Sequence, residues 1–322
     1  MKEKNNKINI KICILILLII LLLSSTYAWF TTNKNVRVET LNVQVATAGD
    51  LEISVDAINW KTEITSKELL EGIHSTYAGA VNQIPDEGLY PTSTTGIINN
   101  GKIDMFFGQV LLNKEANTYN LTASKEEETH GVSGKFITFD IFLRVAEDTT
   151  IYLNSNSSIE SEFIDSPNNS TGIENATRIA FLNHGTASNA TAAQNLKGAT
   201  QAIILEPNYD VHTTTGIQNA ERFYGISGLN KTGNNALSYY GVKSAITTGR
   251  PINDKSNEYF SLVNPSVKLE KSFFGSGTKR EIFKLKEGIT KVRLYLWIEG
   301  QDVDCEDNAS GANLKFNLQF TT

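Results

Sequence analysis

Two cysteines, two methionines and four histidines occur in 322 residues, and each shortage closes off a kind of chemistry. Cys13 lies inside an apolar N-terminal run and Cys305 near the other end. Removal of the N-terminal segment leaves one thiol, so no internal disulfide forms, and Cys305 is buried, free or bonded to another molecule. Burial as a small hydrophobe is the ordinary outcome. Asp302, Asp304, Glu306 and Asp307 flank it, and neighbouring carboxylates disfavour the thiolate that a cysteine nucleophile needs.

The histidines are equally unhelpful to catalysis. His74, His130, His184 and His212 never stand within five residues of one another, and no His-Glu-x-x-His occurs, so the helical zinc pair is missing. His130 with Glu126 and Glu128 is the nearest local grouping, and it reads as a solvated loop. Gly-x-Ser-x-Gly, the phosphate-cradling loop and the dinucleotide fingerprint are also absent, which leaves no recognisable catalytic constellation.

Charge is short on the basic side. A cut after Ala28 takes four lysines and one glutamate from totals of 29 and 35, leaving 25 basic against 34 acidic side chains. That balance argues against nucleic acid or anionic lipid, both of which need a basic footprint.

What is present begins at the N-terminus. Lys2, Lys4, Lys7 and Lys11 lead into twelve apolar residues, Ile12 to Leu23, then Ser24-Ser25-Thr26-Tyr27-Ala28 and Trp29-Phe30. A basic head, a short apolar core and a small-residue exit describe a secretory signal cleaved between Ala28 and Trp29. The twelve-residue run is too short to span a bilayer, which takes about 20 apolar residues. Counting on through Phe30 gives nineteen mostly apolar residues from Ile12, so the alternative is an uncleaved anchor, with membrane contact through that segment alone.

The remainder reads in period two. Val36, Val38, then Leu41, Val43 and Val45 alternate with a slip at Thr40, and Leu51, Ile53 and Val55 follow. Ile137 to Val145 alternates throughout, as do Val292 to Glu299 and Leu314 to Phe320. One apolar and one wetter face predicts antiparallel sheet packed on one side. Further strands are expected over 102–112, 119–123, 149–153, 178–182, 201–205, 259–263 and 281–285, with helix confined to 66–73 and 217–224. Some ten strands without alternating helices predict an all-β antiparallel β-sandwich. It is expected as one domain over 29–322, with a loop-rich Ser/Asn/Thr/Gly insertion around 154–257. Eight Asn-x-Ser/Thr triplets, at Asn120, Asn156, Asn168, Asn169, Asn175, Asn189, Asn230 and Asn308, follow from composition and are not read as glycosylation sites.

The acidic run 302–307 is the one cluster that suits a cation. Asp302, Asp304 and Asp307 are weak calcium candidates, since calcium takes six to eight oxygens, but the glycine and distal glutamate of an EF-hand loop are missing. The competing reading is a solvated acidic loop between two strands, without cofactor.

Two stretches resemble a known family. Tyr27-Ala28-Trp29-Phe30-Thr31-Thr32, with Val43 to Ile53 after it, resembles the start of TasA/camelysin-like proteins exported through a SipW-type signal peptidase; the matching positions are Ala28, Trp29, Phe30, Ala48, Gly49, Leu51 and Ile53. Val292 to Asp302, Asp304-Cys305 and Leu314 to Phe320 resemble the closing hairpin of surface proteins sharing that signal. The resemblance implies a jelly-roll-like sandwich serving as a fibre subunit of biofilm matrix or cell surface in a Gram-positive bacterium. Some members are classed as metallopeptidases, but the matching residues contain no metal motif.

The expectation is therefore a secreted, non-enzymatic surface or matrix protein. The candidate assembly strand is Val36, Val38, Leu41, Val43 and Val45, which either fills an open sheet edge of the next subunit or folds back as the first strand of its own sheet. Expected partners are further copies, other matrix proteins and the signal peptidase during export. The alternative is an adhesin or glycan-binding module presenting Tyr209, Tyr224, Tyr239 and Tyr240 on long loops; a secreted metallopeptidase ranks last. The ending Phe320-Thr321-Thr322 carries no sorting motif, so wall attachment by that route is not expected.

Overall fold

The computed structural model describes residues 35–46, 51–71, 77–113, 118–163, 172–199, 201–206, 212–218, 240–251, 258–262, 267–271, 279–306, 309 and 311–322. The fold is all-β and sandwich-like, with little helix.

A six-stranded sheet contains β1 (Arg37–Val45), β3 (Glu63–Ile64), β11 (Thr149–Leu153), β12 (Ser158–Phe163), β19 (Arg280–Leu285) and β21 (Ala312–Thr321). Its centre is β21, flanked on one edge by β1 and on the other by β11 and then β12. An eleven-stranded sheet contains β2 (Glu52–Ser54), β4 (Asn82–Gln83), β5 (Pro91–Ser93), β8 (Met105–Asn113), β9 (Thr118–Glu126), β10 (Ile137–Val145), β13 (Thr177–Ala187), β14 (Gln201–Glu206), β16 (Ile246–Pro251), β18 (Val267–Lys271) and β20 (Gly288–Glu299). Two small ribbons complete it: β6 (Ile98–Asn99) with β7 (Lys102–Ile103), and β15 (Tyr240–Val242) with β17 (Phe260–Leu262). Most pairings are antiparallel as expected, but β1 with β21, β5 with β20 and β14 with β18 run parallel.

The main core lies between the sheets. Ile137, Phe139, Ile141, Leu143 and Val145 of β10 and Val292, Leu294, Leu296 and Ile298 of β20 meet Leu314, Phe316, Leu318 and Phe320 of β21. Val36, Leu41, Val43 and Val45 are buried in the same core and Val38 packs partly buried against it. The candidate assembly strand thus folds as β1 of its own sheet, and the slip at Thr40 is a bulge between Val38 and Thr40 in its pairing with β21. The segment 154–257, read as an insertion, contributes β12, β13 and β14 to the sheets and Ile159, Ile179, Phe181 and Leu205 to the core.

The expected wet face of the large sheet is a second interior. Phe136, Tyr295, Trp297, Ala180, Leu182, Ala202 and Ile204 form a separate core with Ile103 and Met105. Covering segments follow the hairpin turn at Asn100 and Gly101, whose φ values of 51° and 72° give the left-handed pair that a tight two-residue turn requires. Alternation therefore placed side chains on the correct faces but misjudged what covered the second one. Lys291, Arg293 and Asp140 are 2%, 5% and 1% exposed.

Helix is brief. α1 (Ser66–Glu71) starts one residue after its cap: Thr65 Oγ1 accepts from Glu68 N at 3.4 Å while Glu68 Oε2 accepts from Thr65 N at 3.1 Å, a capping box. α2 (Ala190–Gln194) is capped by the Asn189 side chain. Of the helix expected over 217–224, helical residues occupy 214–218 and positions from 219 on lie outside the described residues.

Candidate functional site

Polar residues expected in solvent converge instead on the covered face of the large sheet. After β20 the chain turns tightly: Asp302 N donates to Glu299 O at 3.1 Å, Cys305 N to Asp302 O at 3.1 Å and Asp304 N to the Asp302 side chain at 2.9 Å. Asp302 Oδ2 receives Arg178 Nη2 of β13 at 2.6 Å, and the same nitrogen donates to Glu206 Oε1 of β14 at 2.5 Å. Arg178 Nη1 caps the carbonyls of Asn175 and Thr177 at 2.9 and 3.0 Å.

Asp304 receives three donors from one segment. Thr213 N and Oγ1 reach its Oδ1 at 2.9 and 2.6 Å, and His212 Nδ1 lies 3.1 Å from Oδ2. All four side chains Arg178, Asp302, Asp304 and His212 are buried. Burial alone disfavours the His212 imidazolium, but the Asp304 hydrogen bond and the charges of Asp302 and Glu206 outweigh it, so its pKa is raised. Asp304 is also raised, first by burial and then by the neighbouring Asp302 charge. Burial pushes Glu299 up to about 7, against the opposing bonds of Ser93 and Trp297 and the charge of Arg178.

Among the described residues, His212, Asp302 and Asp304 bring one ligand atom each within 4.8 Å of one another. Donor chemistry does not favour calcium there. Each of the four aspartate oxygens already faces a protein donor or the His212 ring, whereas calcium takes six to eight oxygens. Arg178 already supplies a positive charge to Asp302. Asp302 and Asp304 are therefore interior anchors, not a solvated loop; Asp307 lies outside the described residues. Cys305 is buried and forms no disulfide among the described residues.

A second cluster sits farther along β10 and β20. Arg293 bonds Asp140 through Nε at 2.7 Å and Nη2 at 3.0 Å, and Glu128 through Nη1 at 2.8 Å. Tyr77 donates to Asp140 and Tyr295 to Glu128. Lys291 Nζ donates to the carbonyls of Gln194 and Leu196 at 3.2 and 3.1 Å and lies 3.5 Å from Asp140. Burial would raise the Asp140 carboxyl, but Arg293 wins and holds it below its ordinary value. His184, buried beside Arg293, is lowered to about 4, first by burial and then by that guanidinium. The grouping of His130 with Glu126 and Glu128 does not form, since His130 is exposed and Glu128 points to Arg293.

In the first cluster Arg178 pairs with Asp302 and Glu206 while Asp304 meets His212 and Thr213; in the second, Asp140 and Glu128 are matched to Arg293, with Lys291 near Asp140. Sequence reasoning missed Arg178 and Glu206, and set Glu128 beside His130 when its partner is Arg293. The available signal was a charge in mid-strand, as at Asp140 and Arg293, which sit at the alternate positions of the two most regular strands. Ala28, Trp29, Tyr209, Tyr224 and Tyr239 lie outside the described residues. No helix among the described residues is long and apolar enough to cross a membrane. No protein-family model, no curated protein and no solved structure matches the chain.

Proposed function

We propose that the chain is an exported, non-enzymatic protein of the cell surface or biofilm matrix whose copies associate by exchanging β1. The observation that carries the reading is the position of β1. Among the described residues it is the first strand, it runs parallel beside β21, and the one strand paired with its other edge is the two-residue β3, at Val43 and Gln44. Leu41, Val43 and Val45 fill the core from this strand, so a copy that gave up β1 would present an open edge and three vacated pockets, both of which the β1 of another copy satisfies in the same register. The signal-like N-terminus and the acidic charge balance support export and argue against nucleic acid.

The test is a lock. Asn42 and Asn317 are register partners on the outer face, and Asn42→Cys with Asn317→Cys tethers β1 to its own sheet. The mature chain from Trp29 is expected to form multimers in light scattering and negative-stain microscopy. The oxidised variant is expected to remain monomeric and to assemble after reduction. Equal assembly of oxidised and reduced forms would overturn the exchange.

A further inference from the structure

The outer face of the six-stranded sheet is divided. At one end Lys315 pairs with Glu39 at 3.5 Å and Glu162 at 2.9 Å, an ordinary charged surface. At the other end the same strands carry amides: Asn42 beside Asn317 and Gln44 beside Gln319, in the parallel register of β1 and β21. Asparagine is depleted in strands because its amide competes for backbone hydrogen bonds, so stability alone does not account for this grouping.

These amides border a groove of about 290 Å³ lined by Gln44, Thr62, Glu63, Asn154, Asn156 and Gln319. Its walls are fixed by backbone bonds: Asn154 N to Gln319 O at 2.7 Å, Ala46 N to Phe320 O at 2.8 Å and Val45 N to Thr62 O at 2.8 Å. The side chains hold one another only loosely. Gln44 Nε2 lies 3.4 Å from both Asn317 Oδ1 and Glu63 Oε1, and Asn156 Nδ2 lies 3.2 Å from Gln319 Oε1. Bonds of that length exchange for ligand hydroxyls at little cost.

We infer that this groove is a subsite for one residue of a neutral polysaccharide. Each amide offers donors and acceptors together, which suits a ring of vicinal hydroxyls. A single carboxylate, Glu63, excludes an anionic sugar and is too few to hold a metal ion. The volume sits at the lower limit of small-molecule sites, roughly 300 Å³, enough for one sugar unit. Binding here is independent of strand exchange, because a monomer already contains the whole groove.

The test uses the unsubstituted mature chain below the concentration at which light scattering detects multimers, so that Asn42 and Asn317 stay in place and failure of assembly and failure of binding are read separately. Cello-, laminari- and chitohexaose are titrated while the side-chain amide resonances of Gln44, Asn154, Asn156 and Gln319 are followed by NMR, with oligogalacturonate as the anionic comparison. At least one neutral hexasaccharide is expected to shift these resonances, and Gln319→Ala with Asn156→Ala is expected to weaken it by about tenfold, two lost hydrogen bonds, with an unchanged melting temperature. No shift with any of the three, equal binding of oligogalacturonate, or binding that survives the double substitution would overturn the subsite. A double variant that melts early is replaced by Gln319→Glu, whose charge is expected to repel oligogalacturonate and halve or worsen neutral binding while keeping the side chain's shape; unchanged binding there also overturns it.

Discussion

Asp140 and Arg293 stand opposite each other on β10 and β20, and the guanidinium grips both carboxylate oxygens. With 1% and 5% of their surfaces exposed, neither has water to fall back on. Removing Asp140 leaves the buried Arg293 to Glu128 and takes the nearby carboxylate from Lys291, and breaking a buried pair costs about 3–5 kcal/mol. Asp140→Ala is expected to lose that much in urea unfolding. Asp140→Leu combined with Arg293→Met is expected to lose less than the two single changes added together, the signature of a coupled pair.

Glu299 and His184 pull stability in opposite directions with pH. Glu299 titrates near 7 in the fold against an ordinary 4.5; its contribution is complete below about 4.5 and is lost as pH rises through about 7. His184 is lowered to about 4 from 6.5, so its contribution is complete above about 6.5 and is lost as pH falls toward 4. Glu299→Gln is therefore expected to raise the melting temperature on the alkaline side of neutrality and leave it nearly unchanged at pH about 5. His184→Gln is expected to blunt the acid loss. A melting profile for Glu299→Gln parallel to that of the parent at every pH would contradict the assignment.

Calcium and chelators should leave the fold indifferent. A ligand bound only to the native state at a hundred times its dissociation constant adds about 2.7 kcal/mol. Because Arg178 already occupies the position between Asp302 and Glu206, neither added calcium nor EDTA is expected to move the thermal midpoint. A calcium-dependent rise would show that the Asp302 turn opens to admit the ion.

Gly88 fixes where β1 begins. Its φ is +103°, and a Cβ there would lie 2.4 Å from the carbonyl oxygen of Val36. That carbonyl accepts from Leu89 N at 2.7 Å, while Val36 N donates to Leu89 O at 2.9 Å. Gly88→Ala combines left-handed strain of about 1–2 kcal/mol with a backbone clash. Its expected effect is faster hydrogen exchange at Val36 and Leu89 together with a lower midpoint, and protection unchanged at both amides would refute it.

The strands were legible because burial between two sheets imposes a strict period of two. Ile137 to Val145 and Val292 to Glu299 announced their positions, and even the bulge at Thr40 was visible as a break in alternation. The second interior was not legible, because period two reports which residues share a face and nothing about what lies on it. Asp140, Arg293 and Lys291 have the same pattern whether they meet water or one another. The site at Asp302 and Asp304 was half legible: the acids were conspicuous, but their partners Arg178 and His212 stand far away in sequence. Parallel pairing of β1 with β21 left no trace, since pairing direction is set by topology and not by side-chain pattern.

That parallel pairing also sets when the protein is able to fold. Gln44 and Asn317 touch across a separation of 273 residues, and β21 lies at the centre of its sheet. Until β21 has been made, β1, β11 and β12 lack the strand that joins them, and the main core lacks Leu314, Phe316, Leu318 and Phe320. Contacts so distant in sequence make folding slow. A chain built in this order keeps its early strands unjoined through most of its synthesis, and the core closes only once β21 is present.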